Sequence, residues 1–523
     1  METVAERRLR SIYWIAVCAS LIPLAVFQFL PLNDGNSHVY ISKMLVDYAR
    51  GSQLAREYFV LNPTIPPNWI DYALMFLAMH VVSPTVAEKL VWFGYVLGFL
   101  LSFRYSIRSV SASGSSLEYL AFPLVYNVQF HWGFYNFCFS LVFYLLSLGA
   151  YLRFTRRETW PRRLGLSCLA LLAYLSHLVG FGEFVVALGL LELFRWWNDG
   201  RTKAQTLRGM VNLAVILGPS FLLLVRYLTG KLPIGPNHIE WPTFHYAFST
   251  LFTLAPLGSF RPVERLAGLA VAGIIVLLTA WAIRESLRRR FPPGQYGLLA
   301  VAVVAMLLPF LSPASFSDAT MITARLVYFP LFALALFAAP LALPQALRLA
   351  VPLVSLAVAA FLAAIHVPLY AGYDRQMKVG LALAPHLQPQ HTFLFVPVDA
   401  SESTLTLVPE TGLPSVCGIE GYLAAGRDLI DLGNYEAETP HFPLIYRALV
   451  NSSSDRSRSR CAALAGKAPT GDPEYVVAWS PRPAALAQFG VQLGPCGYRN
   501  SGISSADGQF LLFESQAVTG FHQ

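Results

Sequence analysis

In the stretch Leu30-Pro31-Leu32-Asn33-Asp34-Gly35-Asn36-Ser37-His38 an acid and an imidazole stand four residues apart, directly after an unbroken apolar run. A carboxylate held at such a place can take the proton of an attacking hydroxyl or amine that comes within hydrogen-bond reach. Other polar residues interrupt apolar runs further along. His131, Tyr135 and Asn136 lie in HWGFYN, and Ser176, His177 and Glu183 in SHLVGFGE. Arg226, Lys231, Asn237, His238 and Glu240 follow, then Arg261 and Arg265, then Asp318 and Arg325. The cations could neutralise a phosphate leaving group, Arg giving the bidentate contact that Lys cannot. A base for an acceptor and charge stabilisation for a departing phosphate are the two functions that sugar transfer from a lipid phosphate needs.

Each residue also has a plainer reading. His131 or His177 could cap a helix or sit in an interfacial belt with Trp132. Arg261 and Arg265 could anchor to lipid headgroups, and Asp318 could pair with Arg325 as a structural salt bridge. Asp34 or Ser37 could simply start a helix over 38–50. The set is harder to dismiss than its members, because ionisable groups at a membrane edge are costly and mark function by default.

The elements that must position these residues are membrane helices. The 523-residue chain is 55% hydrophobic and 13% charged, with a mean hydropathy of +0.50, which excludes an ordinary soluble enzyme. Its net charge of +8 sits in short basic clusters between apolar runs, the positive-inside pattern, and implies no nucleic-acid partner. Arg7, Arg8 and Arg10 precede an apolar run too long for a cleaved signal, so the first helix is read as uncleaved.

Candidate spans are 11–32, 86–104, 118–131, 134–152, 164–180, 181–197, 209–228, 265–284, 295–312, 322–343 and 349–367. The run 70–83 is too short to cross easily and reads as an interfacial helix. With that choice the strong basic clusters fall on one side, the cytoplasmic one, and the polar set converges on the other. After residue 367 no apolar run reaches membrane length. Short β-rich runs such as 392–396 and 475–479 alternate with helical patterns around 419–431 and 482–489, as in a small α/β domain. Residues 451–460, NSSSDRSRSR, read as a solvated loop. Cys18, Cys138 and Cys168 read as small buried hydrophobes. Cys417, Cys461 and Cys496 have no metal spacing and could supply one disulfide.

Taken together, Asn33-Asp34 with His38, the amphipathic run His38 to Arg50, and Pro66-Pro67-Asn68-Trp69-Ile70-Asp71-Tyr72 before the interfacial helix resemble the first external loop of the GT-C class of polyprenyl-phosphate-dependent glycosyltransferases. The motif likeness covers residues 1–110 and the rest is topological. Many members of that class carry two acids together in this loop, whereas here Asn33 precedes Asp34 and Gly35 follows it.

The resemblance implies an α-helical polytopic membrane protein of about 11 transmembrane helices. A transmembrane domain, 1–367, would carry an external loop, 33–85, with interfacial helices, and 368–523 would form a small soluble extracytoplasmic α/β domain. It implies sugar transfer from a polyprenyl-phosphate donor to an envelope lipid, glycan or protein at the plasma or inner membrane, with the N-terminus cytoplasmic. Asp34 would be the catalytic base. His38, His131, Asn136, His177, Glu183, Lys231, His238, Arg261, Arg265 and Arg325 would bind substrate, Arg325 being the first choice for the phosphate. Asp34 and His38 could share a divalent cation, Mg or Mn, although two ligands do not make a site. Tyr435-Glu436 and His441-Phe442-Pro443 could touch sugar or form a surface loop. A transporter or flippase, or a polymerase or ligase of lipid-linked saccharides, is the alternative.

Overall fold

The computed structural model describes residues 4–111, 116–155, 158–198, 202–230, 238–289, 293–317, 319–398, 406–408, 413–414, 418–447 and 472–519. Lys231, Asn237, Asp318, Cys417, Cys461 and the stretch 451–460 lie outside them.

Most of the chain is helical. The elements used below are α1 (Val4–Val26), α2 (Gly35–Ala49), α3 (Ile70–Ala78), α4 (Pro84–Val110), α5 (Tyr135–Phe154), α6 (Trp160–Ser176), α7 (Leu178–Asn198), α8 (Lys203–Leu228), α9 (Arg265–Arg289), α10 (Pro293–Leu311), α11 (Tyr328–Ala338), α12 (Gln345–Leu381) and α13 (Ile419–Arg427). Among the described residues six helices are long and apolar enough to cross a membrane, within α1, α4, α5, α8, α9 and α12, with shorter apolar helices at Gln295–Leu311 and Ile322–Ala338. The chain is a membrane protein with fewer such helices than the eleven spans expected. The expected span 118–131 breaks into Ser116–Ala121, Phe122–Val125 and Val128–His131. Pro123 and the Asn127 cap, whose side chain accepts from the Gln129 and Phe130 amides, account for the breaks. The run expected at 70–83 is a helix of nine residues, followed by a fresh start at Pro84 in the first turn of α4.

Charge is sorted along the helices. α4 starts beside the buried Glu88 and ends at Arg104 and Arg108, which pair with Glu118 at 3.0 and 2.7 Å. Arg104 also lies 4.5 Å over the ring of Tyr13, tying α4 to α1. α5 runs from Tyr135 to Arg153 in the same sense. At 1.5 Å per residue the 27 residues of α4 separate these two ends by about 40 Å. Cys138 is buried as expected of a small hydrophobe, but Cys18 and Cys168 are exposed. They lie on outward helix faces, where a membrane protein meets lipid rather than its own core.

The C-terminal portion carries a five-stranded sheet. Its strands are β2 (Thr392–Pro397), β3 (Ile430–Asp431), β5 (Tyr475–Trp479), β6 (Tyr498–Ser504) and β7 (Phe510–Ser515), in the order β6-β7-β5-β2-β3. β2 pairs parallel with β3 and β5, and the β5–β7–β6 side is antiparallel. β5 is buried along its length, which is why it reads as the continuous apolar run YVVAW. Two further strands, β1 (Phe59–Leu61) and β4 (Leu444–Tyr446), pair antiparallel and join the segment after α2 to the C-terminal portion. Asn62 reinforces the joint by donating to the carbonyls of Pro440 and Phe442.

Candidate active site

Asp34 is held by its backbone. α1 ends at Val26, and the carboxylate of Asp374 on α12 receives the amides of Gln28 and Phe29, both at 2.9 Å. Five residues on, the amides of Asn33 and Asp34 donate to the carbonyls of His131 and Trp132 at 3.1 and 3.0 Å. Gly133 lets these segments meet. Its φ is +77°, and a Cβ there would lie 2.5 Å from the Gly35 nitrogen and 2.8 Å from that of Asp34.

Asp34 occupies the N-cap position of α2 yet makes no side-chain capping bond. Its Oδ1 instead accepts from the Asn33 side-chain Nδ2 at 2.7 Å, and the Tyr435 hydroxyl, which donates to Glu436 Oε1 at 3.4 Å, lies within electrostatic reach of its carboxylate. Burial raises its pKa, against the lowering pull of His38, Tyr435, Arg325 and Asn33. The residue is half-buried.

α2 is packed rather than lying free on a surface, between α3 and α13. Asn36 accepts from the Gly421 amide of α13, and the Tyr40 hydroxyl accepts from the Asp431 amide of β3. One turn along from Asp34, His38 is almost fully buried among acids and rings. Its Nδ1 lies 2.5 Å from Asp71 Oδ2 and its Nε2 lies 3.4 Å from Glu436 Oε1. The imidazole stacks on Tyr72 at 4.8 Å, and Tyr72 donates to Glu436 at 2.7 Å. Burial alone would lower the His38 pKa, but Glu436 and Asp71 outweigh it and raise it to about 9. Burial raises Glu436 to about 8. The pocket thus sets the His38 ring between the carboxyl groups of Asp71 and Glu436, with the Tyr72 hydroxyl donating to Glu436. Beneath it, Glu88 receives the hydroxyls of Tyr135 and Tyr422 at 2.7 and 2.8 Å.

Arg325 sits in the short helix Ile322–Leu326, which Met321 enters with a φ of +56°. The guanidinium lies 4.3 Å over the Phe134 ring, within electrostatic reach of Asp34, and its buried Nε has no hydrogen-bond partner. Its Nη1 lies 2.8 Å from His177 Nε2, at the extended residue that breaks α6 from α7. His177 Nδ1 faces the Val179 amide at 3.1 Å. These two contacts compete. A ring accepting at Nδ1 carries its proton on Nε2 and cannot accept there from Arg325.

The remaining expected residues are placed as follows. Asn136 accepts from the Asp71 amide at 3.4 Å and supports the start of α3. His131 turns its ring away, to Ser259 Oγ at 2.8 Å and the Tyr370 hydroxyl at 2.6 Å, and only its carbonyl meets the Asp34 loop. Glu183 is buried in α7, with Oε1 unpartnered and Tyr144 within electrostatic reach. His238 is exposed near Glu240, and Arg261 and Arg265 are exposed. The structure therefore gathers Asp34, His38, Arg325 and His177, with Asn136 and His131 behind them. It does not bring Glu183, His238, Arg261 or Arg265 to the group.

The sequence reading gave no catalytic or binding role to Asp71, Tyr72 or Glu88, and left Tyr435 and Glu436 undecided between sugar contact and surface loop. The available signal was the isolated acid inside an apolar segment, as in Ile70-Asp71-Tyr72 and Ala87-Glu88-Lys89. Among the described residues no three His, Cys, Asp or Glu side chains form a metal-binding group. The carboxylates of Asp71 and Glu436 face His38, whose own charge takes the position a cation would need. Among the described residues, then, these side chains do not compose a ligand set for a divalent ion.

No protein-family model and no curated protein matches this chain. Among solved structures it is similar to the apo oligosaccharyltransferase of Archaeoglobus fulgidus, at 12% identity, over 89% of this chain and 69% of that one, with a TM-score of 0.43.

Proposed function

We propose that the protein is a membrane glycosyltransferase of the GT-C type, moving a sugar from a polyprenyl-phosphate donor to an envelope acceptor on the face that carries Asp34 and the C-terminal portion. On this reading that face is extracytoplasmic. The observation that carries it is that one turn, Trp132 to Phe134, bears both groups: the Asp34 amide donates to the Trp132 carbonyl, leaving a half-buried carboxylate free of capping, and the buried guanidinium of Arg325 lies over the Phe134 ring.

An acceptor hydroxyl or amine attacks the anomeric carbon and gives its proton to Asp34, while the bond from that carbon to the phosphate oxygen breaks and the electron pair leaves with the lipid phosphate. Arg325 meets the charge that develops on the phosphate. A phosphate oxygen would also settle the competition at His177, because it can accept both from the guanidinium and from a protonated Nε2. His38, held charged by Asp71, keeps positive potential beside Asp34 and favours its ionised form.

A transporter of lipid-linked saccharides would favour polar groups near the middle of the helices, on broken segments of related halves. The candidate site instead lies where α1, α4 and α5 begin or end.

The test is a mass-spectrometric profile of envelope glycolipids and glycans in cells carrying wild-type protein, Asp34→Asn or Arg325→Lys at matched membrane levels. Asp34→Asn is expected to leave the acceptor one sugar short, with transfer down by roughly 10²- to 10⁴-fold. Arg325→Lys keeps charge but loses the fork, and is expected to lower transfer at least about tenfold. Unchanged profiles in both variants would refute the proposal.

A further inference from the structure

A second feature lies on the lipid side of the helices and has no part in the chemistry above. α1 and α12 run alongside one another with a groove of about 200 Å³ between them, lined also by Phe122 and Tyr126. Small residues face each other across it: Ala16, Ala19 and Ser20 from α1, and Ala359, Ala360 and Ala363 from α12. Both walls belong to helices long and apolar enough to cross a membrane, so hydrocarbon is the phase that reaches the groove.

Its polar atoms are already used within the protein. Tyr126 donates to the Ser20 carbonyl, Tyr370 pairs with His131, and His366 pairs with Glu264. The groove can therefore take a chain but offers nothing to a headgroup along its length. From Leu356 to Tyr370 it follows α12 for about 21 Å. One and two turns beyond Tyr370, on the same face of α12, stand Asp374 and Lys378. Lys378 Nζ lies 2.6 Å from Asp374, is half exposed, and has Lys89 of α4 within electrostatic reach. The carboxyl of Glu88 beside Lys89 is fully buried and taken up by the Tyr135 and Tyr422 hydroxyls, and Asp374 is largely buried, so the charge this end of the groove presents outward is that of the two ammonium groups.

We infer that the groove between α1 and α12 binds an acyl chain of an anionic membrane phospholipid, whose headgroup sits at Lys89 and Lys378. Charge complementarity at the head end selects an anionic lipid. Phospholipid is the abundant source of such chains, and no donor phosphate is needed to explain the site. The lipid would also brace the catalytic loop, since Asp374 at its head end holds the Gln28 and Phe29 amides on the path to Asp34. The inference is independent of the transfer reaction.

The test is native mass spectrometry of the full-length, delipidated protein in detergent with phosphatidylglycerol, phosphatidylcholine or a polyprenyl phosphate, together with photo-crosslinking by a diazirine-labelled phosphatidylglycerol. Wild-type protein is expected to retain phosphatidylglycerol at least tenfold better than phosphatidylcholine, with crosslinks in peptides spanning 16–23 and 356–370. Ala363→Phe, which fills the groove, is expected to abolish retention, and Lys89→Gln with Lys378→Gln to remove the preference for the anionic lipid. Equal retention of both phospholipids by wild type, retention unchanged by Ala363→Phe, displacement of phosphatidylglycerol by the polyprenyl phosphate, or crosslinks elsewhere would each overturn the inference. The crosslink map requires no variant, so it decides the matter even if Ala363→Phe fails to fold.

Discussion

His38 Nδ1 lies 2.5 Å from Asp71 Oδ2, in a pocket where His38 is 4% and Asp71 0% exposed. The two groups are close but not aligned for a hydrogen bond. Their attraction is chiefly that of charges away from water, where removing one partner leaves the other buried and uncompensated.

This pocket makes stability depend on pH with a definite sign. The His38 pKa rises from 6.5 to about 9, so its contribution is complete below pH 6.5 and is lost as pH climbs toward 9. Glu436 is raised from 4.5 to about 8, so the folded protein holds that proton more tightly and loses stability between those values as pH rises. Both groups act in one direction. The thermal midpoint in detergent is expected to fall steadily from pH 6.5 to 9, and His38→Gln is expected to flatten the upper part of that fall. A midpoint that rises over this range would contradict the assignment.

With Asp34 as the proposed base, Tyr435 is expected to set the acid limb of activity. Its hydroxyl, which donates to Glu436, lies within reach of the Asp34 carboxylate and favours the ionised form, while burial works the other way. Tyr435→Phe removes the favourable hydroxyl, so the Asp34 pKa should rise and the acid limb of the rate profile should move to higher pH. Activity above that limb should persist. Tyr435 is 42% exposed, so water can partly replace the lost hydroxyl and the displacement should be modest. An unmoved limb would separate Tyr435 from the base.

Gly35 is a steric test of how α2 is seated. A Cβ there would collide with the Tyr135 hydroxyl and lie 3.0 Å from Glu88 Oε1. Gly35→Ala is expected to lower stability by about 1–3 kcal/mol, as overpacking does, and to displace the start of α2 that carries Asp34. Tyr135→Phe in the same chain removes the struck hydroxyl and should restore part of the loss. Thermal unfolding of the single and double variants measures both effects, and no recovery in the double variant would show that the collision is not the cause.

Some of this was legible in the sequence because it depends on local pattern. Hydropathy marked the membrane helices, and short β-rich runs marked β2 and β5 almost to the residue. Asp34 stood out as an acid at the end of an apolar run. The span expected at 118–131 failed because apolarity alone hid the breaks at Pro123 and Asn127.

What could not be read is long-range. Tyr435 and Glu436 reach Asp34 and His38 only because β4 pairs with β1 and α13 packs on α2, contacts between distant parts of the chain that leave no periodic trace. The same holds for His177, whose position against Arg325 depends on the break between α6 and α7. Arg261, Arg265 and His238 are exposed and make no described contact with Asp34 or His38, because a shared sequence side does not by itself bring residues to one site.

The central claim is that Asp34 accepts the proton of a glycosyl acceptor while a lipid phosphate departs. Purified wild-type and Asp34→Asn proteins should be incubated with a lipid extract from cells lacking the protein, and free polyprenyl phosphate and glycosylated product quantified together by mass spectrometry. Wild-type protein is predicted to release polyprenyl phosphate in step with product, and Asp34→Asn to yield neither, with its fold intact by thermal unfolding. Equal yields from the two proteins, or a donor left intact by wild type, would contradict the account.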